Sequence, residues 1–241
     1  MQPRFRLFAG PNGSGKTTLF ENLRKDGIIH TEIYVNADKI EAEIKANKKF
    51  HFNAYRIKVT DAGFKEHIIN SGLFTSKLSD TSFIKYLKIN KGVLHIGIPK
   101  AKINSYHASF IATYLADKLI ASDQSFCFET VMSHPSKIDF LRQAKAAGYR
   151  TYLYFLFTEN VQVNIARVQL RAKQGLHNVS PELISSRYLR TFKNLPAALK
   201  EADVAYIIDS STTDIKIVAE KSHGKVIIKG PLASVIKPYL K

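Results

Sequence analysis

The chain has 241 residues, 45% of them hydrophobic, with 36 Lys and Arg against 20 Asp and Glu for a formal net charge of +16. That apolar share is ordinary for a globular core, and the length suits either one domain with an insertion or two small domains. No run approaches the ~18 consecutive apolar residues that cross a bilayer, and the single cysteine, Cys127, excludes an intrachain disulfide; with only nine residues before the first motif, no secretory leader is expected. The expectation is a cytoplasmic protein with no membrane segment. Its positive excess attracts anions: nucleotides, phosphorylated sugars or nucleic acid.

Residues 4–9 are short and apolar at their end, as a buried strand is. They run into Gly10-Pro11-Asn12-Gly13-Ser14-Gly15-Lys16-Thr17-Thr18, which matches the phosphate-loop pattern G-x-x-x-x-G-K-[ST] without mismatch. Residues from Thr17 onward can start a helix at once. Gly10, Gly13 and Gly15 lack a Cβ and let the backbone approach phosphate closely. Asn12, Ser14 and Thr18 complete a loop whose N–H groups, with the helix N-terminus, form an anion site. Lys16 reaches β- and γ-phosphates, and the Thr17 hydroxyl ligates Mg²⁺ in this motif. The cofactors expected from it are ATP and Mg²⁺.

Residues 32–37 read as a second buried strand, with Asp38 at its carboxyl end, where ligands gather in open α/β sheets. Asp38 is equally suited to capping the helix that follows, in which Ile40 and Ile44 share a face. Residues 48–105 are rich in Lys, Asn, Ser and aromatics. They contain helix candidates at 61–69 and 80–87 and a strand candidate at 92–98 ended by Pro99, and they read as a mostly helical insertion on the acceptor side of the site. Its lysines, Lys77, Lys85, Lys88, Lys91, Lys100 and Lys102, either face an anionic ligand or form a solvated surface.

Residues 106–121 show helical spacing. An apolar strand at 125–130 closes in Glu129 and Thr130, and an acid closing an apolar strand after a phosphate loop is the Walker-B arrangement. Cys127, inside that run, reads as a buried filler. A helix at 135–147 ends at Gly148. Residues 151–157 carry a run of apolar and aromatic side chains that suits a central strand buried on both faces. A helix at 160–173 places Arg167 and Arg171 four apart on one face. Ser180 caps the next helix, with Pro181 at its first position, and that helix carries Arg187 and Arg190. Two arginine-bearing helices joined by a glycine loop, about 160–195, have the look of a kinase lid, since planar guanidinium groups suit a transferring phosphoryl group. A salt-bridged surface pair is the plainer reading. Residues 204–209 read as a last core strand, with an edge strand at 225–228 and a small C-terminal helix. Alternating strands and helices predict a three-layer α/β/α, phosphate-loop kinase-like domain with a mainly parallel sheet. No LSGGQ-like stretch accompanies the loop, which argues against an ABC-type ATPase, and no N-K-x-D motif points to a GTPase.

GPNGSGKTT at 10–18, VNADKIE at 35–41, FET at 128–130 and RAKQGLHNVSPELISSRYLRTFKNLP at 171–196, in that order, resemble the zeta toxin family of bacterial kinases, and in particular its stand-alone branch. The resemblance covers residues 1–45 and about 106–211, and leaves out 48–105. It implies an ATP- and Mg²⁺-dependent kinase of UDP-N-acetylglucosamine, an anionic nucleotide sugar, acting as a toxin. By the same resemblance Asp38 is the base, Lys16 holds the transferring phosphate, and Arg171 and Arg187 stabilise its charge. Glu129 and Thr130 contact the sugar or organise Mg²⁺, and an antitoxin protein is an implied partner. The other class of function compatible with the +16 charge is a nucleic-acid-directed NTPase or polynucleotide end-kinase.

Overall fold

The structure, a computed structural model, describes residues 2–71, 82–174 and 178–240. It divides into two compact units, the larger made of the chain up to Tyr34 and from Ser125 onward, the smaller of Val35–Gln124.

In chain order the larger unit holds β1 (Arg4–Ala9) and α1 (Lys16–Lys25), and the boundary falls inside β2 (Tyr34–Asn36). The smaller unit then holds α2 (Ala37–Asn47), β3 (Lys49–His51), α3 (Asp61–Asn70), β4 (Leu87–Asn90), β5 (Val93–Ile96) and α4 (Ser105–Ile120). Returning to the larger unit, the chain forms β6 (Phe126–Thr130), α5 (Ser136–Ala146), β7 (Arg150–Phe157), α6 (Val161–Lys173), α7 (Pro181–Glu201), β8 (Val204–Asp209), β9 (Lys216–Ser222) and β10 (Lys225–Ile228).

The main sheet runs β10-β9-β8-β7-β1-β6-β2. β1 lies parallel between β6 and β7, and β7 is parallel to β8; β9 and β10 turn back antiparallel. β7 is the middle strand, as its sequence predicts, and its alternation explains the layers. Tyr154 and Leu156 join Phe8, Leu19 and Phe20 in the cluster under α1, with Tyr154 stacked on Phe8 at 4.8 Å. On the opposite face, Phe155 and Phe157 meet Phe192 of α7 edge-on, and Phe128 of β6 packs on Phe140 of α5. Cys127 is buried, and burial pushes its thiol up to about 12, so no thiolate forms near neutrality.

The strand at 204–209 is not the last of the core: β9 lies beyond it, joined across a bulge at Ile207/Ile208. α7 is one 21-residue helix with Pro196 inside it. Ile184, Tyr188, Phe192, Leu195 and Leu199 make a continuous buried stripe along it. Its arginines therefore stand on a core helix.

The smaller unit is wider than the 48–105 stretch legible in the sequence, and its helices are joined by an antiparallel sheet, β3-β5-β4. Phe50, Phe52, Phe64 and Tyr114 form its aromatic centre. The helix expected at 61–69 is α3. Within the stretch 80–87, Ser82–Tyr86 is a 3₁₀ turn leading into β4, and residues 80–81 lie outside the described residues. No described helix is long and apolar enough to cross a membrane.

Phe192 is fully buried between Phe155, Phe157, Tyr188 and Tyr239. Phe192→Ala is expected to cost about 3–5 kcal/mol, read as a lower urea midpoint with an unchanged slope.

Candidate active site

The loop after β1 is held by close backbone approaches. Gly10 has φ +145°, and a Cβ there would stand 2.1 Å from the Leu156 carbonyl oxygen; at Gly13, with φ +76°, it would stand 2.7 Å from that of Asn164. Gly15 occupies the left-handed region as the N-cap of α1, without a capping side chain. The first amides of α1 are thus left for the loop itself, and Arg24 and Lys25 offset the dipole at the far end.

Side chains from the neighbouring segments hold the loop carbonyls. The buried Asn164 amide of α6 donates to Asn12 O at 2.6 Å, while its Oδ1 accepts from the Thr158 hydroxyl. Ser210, just past β8, donates to Ser14 O at 2.9 Å. Arg167 of α6 reaches Gly13 O and Ser211 O, each at 3.4 Å. Tyr188 of α7 donates to Thr158 O at 2.5 Å, and burial pushes its phenol up to about 12. Inside the loop, the Lys16 ammonium is buried and donates to Gly10 O and Pro11 O, both at 2.9 Å. Asn12 Oδ1 and Ser14 Oγ are buried with no hydrogen-bond partner among the described residues. Thr18 is exposed.

Of the residues singled out in the sequence, the structure brings Thr17 and Glu129 together. Parallel pairing of β1 with β6 sets Glu129 opposite Phe8, at the strand ends from which the loop departs. Thr17 Oγ1 donates to Glu129 Oε2 at 2.8 Å, and the Tyr34 hydroxyl donates to the same oxygen. Tyr34 is kept there by stacking on Phe20 at 3.8 Å. Thr130 has a local role: its Oγ1 accepts from Met132 N at 3.1 Å, in a turn where Met132 takes φ +56°. Thr191 and Asn194 of α7 donate to Val131 O and Met132 O and hold the same turn.

Asp38 stands in the first turn of α2, in the smaller unit. The cap of that helix is Asn36, whose side chain accepts from Asp38 N at 2.8 Å and Lys39 N at 3.2 Å. The capping role open to Asp38 in the sequence thus belongs to Asn36. Arg171 and Arg187 are both half-buried, one on α6 and one on α7. These helices meet through Val168, Val179 and Ile184. Ser180 caps α7 by accepting from Leu183 N, with Pro181 at the first position. Gly175, Leu176 and His177 lie outside the described residues. Arg190 is exposed and bonds back to Ser186 of its own helix. Lys85, Lys88, Lys91, Lys100 and Lys102 are exposed on the smaller unit, and Lys77 lies outside the described residues.

Sequence reasoning missed Tyr34, Asn164 and Ser210, and gave Arg167 to a lid. Their partners are loop carbonyls and one carboxylate oxygen, which carry no residue-type signal. An Asn on the buried face of an amphipathic helix, as at Asn164, was the one available clue. Asn164→Ala strips the buried Asn12 carbonyl of its side-chain donor, while the Thr158 hydroxyl falls back on the Asn160 carbonyl at 3.1 Å. It is expected to cost about 1–3 kcal/mol in chemical denaturation.

Three kinds of comparison place this arrangement among known proteins. In solved structures the fold recurs in the AvrRxo1-ORF1:-ORF2 complex with ATP, at a TM-score of 0.60 and 15% identity over 95% of this chain and 61% of that one. It recurs also in the PezAT chromosomal toxin–antitoxin system of Streptococcus pneumoniae, at 0.53 and 13%, covering 99% and 82%. The chain thus spans about three-fifths of the AvrRxo1 chain. In sequence it is 24% identical to an uncharacterized protein of Haemophilus influenzae over 188 residues, which is 78% of this chain and 94% of that protein. The sequence profile of the Zeta toxin family matches residues 100–228, more than half of the chain, and with that match the chain belongs to the Zeta toxin family.

Proposed function

We propose that this protein is an ATP-dependent phosphotransferase of zeta toxin type, that its acceptor is a small anionic nucleotide sugar such as UDP-N-acetylglucosamine, and that it acts as a toxin. The observation that carries this reading is the hydrogen bond between Thr17 and Glu129. It joins the metal-ligating hydroxyl of a phosphate loop to the acid closing the adjacent strand, which is how a Mg²⁺-nucleotide site is built. Family membership supports the same chemistry.

The residues present fit ATP and Mg²⁺. Glycine backbone at 10, 13 and 15, an uncapped helix start, the buried Lys16 ammonium and the orphaned polar atoms of Asn12 and Ser14 together suit a polyphosphate. In this reading residues 10–18 would hold the triphosphate, and Thr17 with Glu129 would hold Mg²⁺, which would offset the charge of the phosphate oxygens. Tyr34 orients the Glu129 carboxylate. Lys16, which donates to Gly10 O and Pro11 O, would turn its ammonium to the phosphate oxygens of the transferring group. Asp38 accepts the proton of the acceptor hydroxyl, while Arg171 and Arg187 present planar guanidinium groups to the transferring phosphoryl. Thr130, whose hydroxyl accepts from Met132 N, would contact the acceptor sugar beside Glu129. The PezAT structure, with which this chain shares its fold, belongs to a toxin–antitoxin system, and this supports an antitoxin partner here as well.

Incubation with labelled ATP and two acceptor pools, nucleotide sugars and oligonucleotides, tests the substrate class. Label is expected in the sugar pool, with shallow salt dependence. Label confined to oligonucleotides, falling steeply with salt at a log–log slope of roughly −0.7 to −0.9 per phosphate contact, overturns the reading in favour of an end-kinase using the +16 charge. Lys16→Ala is expected to abolish transfer in either pool.

Because Asn36 makes the cap, Asp38→Asn leaves the start of α2 intact. Turnover should nonetheless fall by roughly 10²–10⁴-fold, with thermal stability unchanged. Retained turnover would remove Asp38 from the mechanism.

A further inference from the structure

β10 is the outer strand of the main sheet among the described residues. Its apolar side chains stand in water: Val226 is 39% exposed, Ile227 52% and Ile228 45%. Register with β9 puts Val226 and Ile228 on the face of Lys221 and Ala219, and Ile227 on the face of Glu220. The strand is therefore apolar on both faces and about half open to water on each.

Its backbone is equally open. Lys229 N donates to Val218 O at 2.9 Å, so Lys229 turns its N–H toward β9. By the alternation of an antiparallel ladder Lys225 and Ile227 do the same, and the N–H and C=O groups of Val226 and Ile228 point outward. The two-residue turn at His223 and Gly224, with φ +50° and +76°, has the left-handed pair that matches strand twist, so the hairpin is set before any partner arrives. Natural edges are usually blunted by an inward charge, a proline or a covering element. Here the lysines, Lys225 and Lys229, stand at the two ends of the apolar stretch; Lys229, 47% exposed, also lies 3.5 Å from the Glu220 carboxylate of β9, so Lys225 carries the larger share of the uncompensated charge.

Those lysines decide what the edge accepts. A second copy pairing antiparallel about Ile227 sets Lys225 against Lys229 of the other copy, and like charges directly opposite are destabilising. A net charge of +16 on each copy opposes the same encounter. An acidic segment meets neither obstacle. We propose that β10 is a docking edge for a protein partner. The partner adds an extended segment with acidic residues on either side of a short β-branched or aromatic stretch. Main-chain hydrogen bonds at Val226 and Ile228 supply affinity, and the lysines supply selectivity. The proposal does not rest on the phosphotransferase reading, since β8 and β9 separate β10 from β7.

The test uses the full chain and two synthetic peptides, Asp-Glu-Val-Thr-Val-Glu-Asp and its counterpart with every acid replaced by Lys. Ile228→Pro removes one outward donor while leaving the bonds to β9, because a proline is tolerated where its N–H would face solvent. Ile228→Thr keeps the donor and serves as the control, and both variants are first checked for an unchanged melting temperature. Should Ile228→Pro melt early, hydrogen exchange at the amides of Val226 and Ile228 in the unaltered chain takes its place. The expected result is binding of the acidic peptide by the unaltered chain and by Ile228→Thr. Binding should be about tenfold weaker in Ile228→Pro, weaker for the lysine peptide, and reduced by salt, with slowed exchange at the two amides. Equal binding of both peptides, equal binding by Ile228→Pro, or no binding with the chain sedimenting as a monomer or a dimer, overturns the proposal.

Discussion

The constraint on which the site depends is the distance between two backbones. The loop after β1 passes so close to β7 and to the first turn of α6 that residues 10 and 13 have no room for a Cβ, the nearest atoms being carbonyl oxygens of Leu156 and Asn164. Peptide groups cannot move aside as a flexible side chain can. Glycine is therefore required for packing as well as for ligand approach, and the loop takes its shape from the sheet beneath it. Asn164, Arg167 and Ser210 then hold three successive loop carbonyls, those of Asn12, Gly13 and Ser14. Carbonyls bound in this way have donors within the protein, and a loop fixed by them suits an anion held by backbone amides.

The sheet supports this arrangement from both faces. α1 is pressed on Phe8, Tyr154 and Leu156, and α7 on Phe155 and Phe157, so the alternation of one strand, β7, sets the separation of the two helical layers. Burial of these rings gives the local rigidity that a phosphate loop requires, since a shift of β7 would move the wall against Gly10. The same strand order brings Glu129 beside Thr17. β6 is parallel to β1 and ends level with it, so an acid at the end of one strand meets the first helical residues after the other.

Much of this was legible in the chain itself. The motif at 10–18 requires strand, turn and helix in order, and these are β1, the loop and α1. The apolar and aromatic run at 151–157 requires burial on both faces, and β7 has it. Ser180 followed by Pro181 sets the start of α7, because a hydroxyl acceptor and a fixed φ serve a helix start whatever the helix packs against. The match to the family profile over residues 100–228 agrees with the motifs that point to the same family.

What the sequence by itself determined, then, was local: where helices and strands begin, which strand is central, and that a phosphate loop is present. Only the tertiary structure decided the rest. β9, with the polar sequence KIVAEKS, carries no strand pattern, because it lies near the sheet edge and is only partly covered; pairing with β8 makes it a strand. The cap of α2 falls to Asn36, two residues before Asp38, and a side-chain oxygen near two amides cannot be assigned by composition. Tyr34, Asn164 and Ser210 serve the site through carbonyls and a carboxylate contributed by distant segments. No residue-type rule reaches across 112 positions to join Thr17 to Glu129, whereas the parallel register of β1 and β6 does so directly.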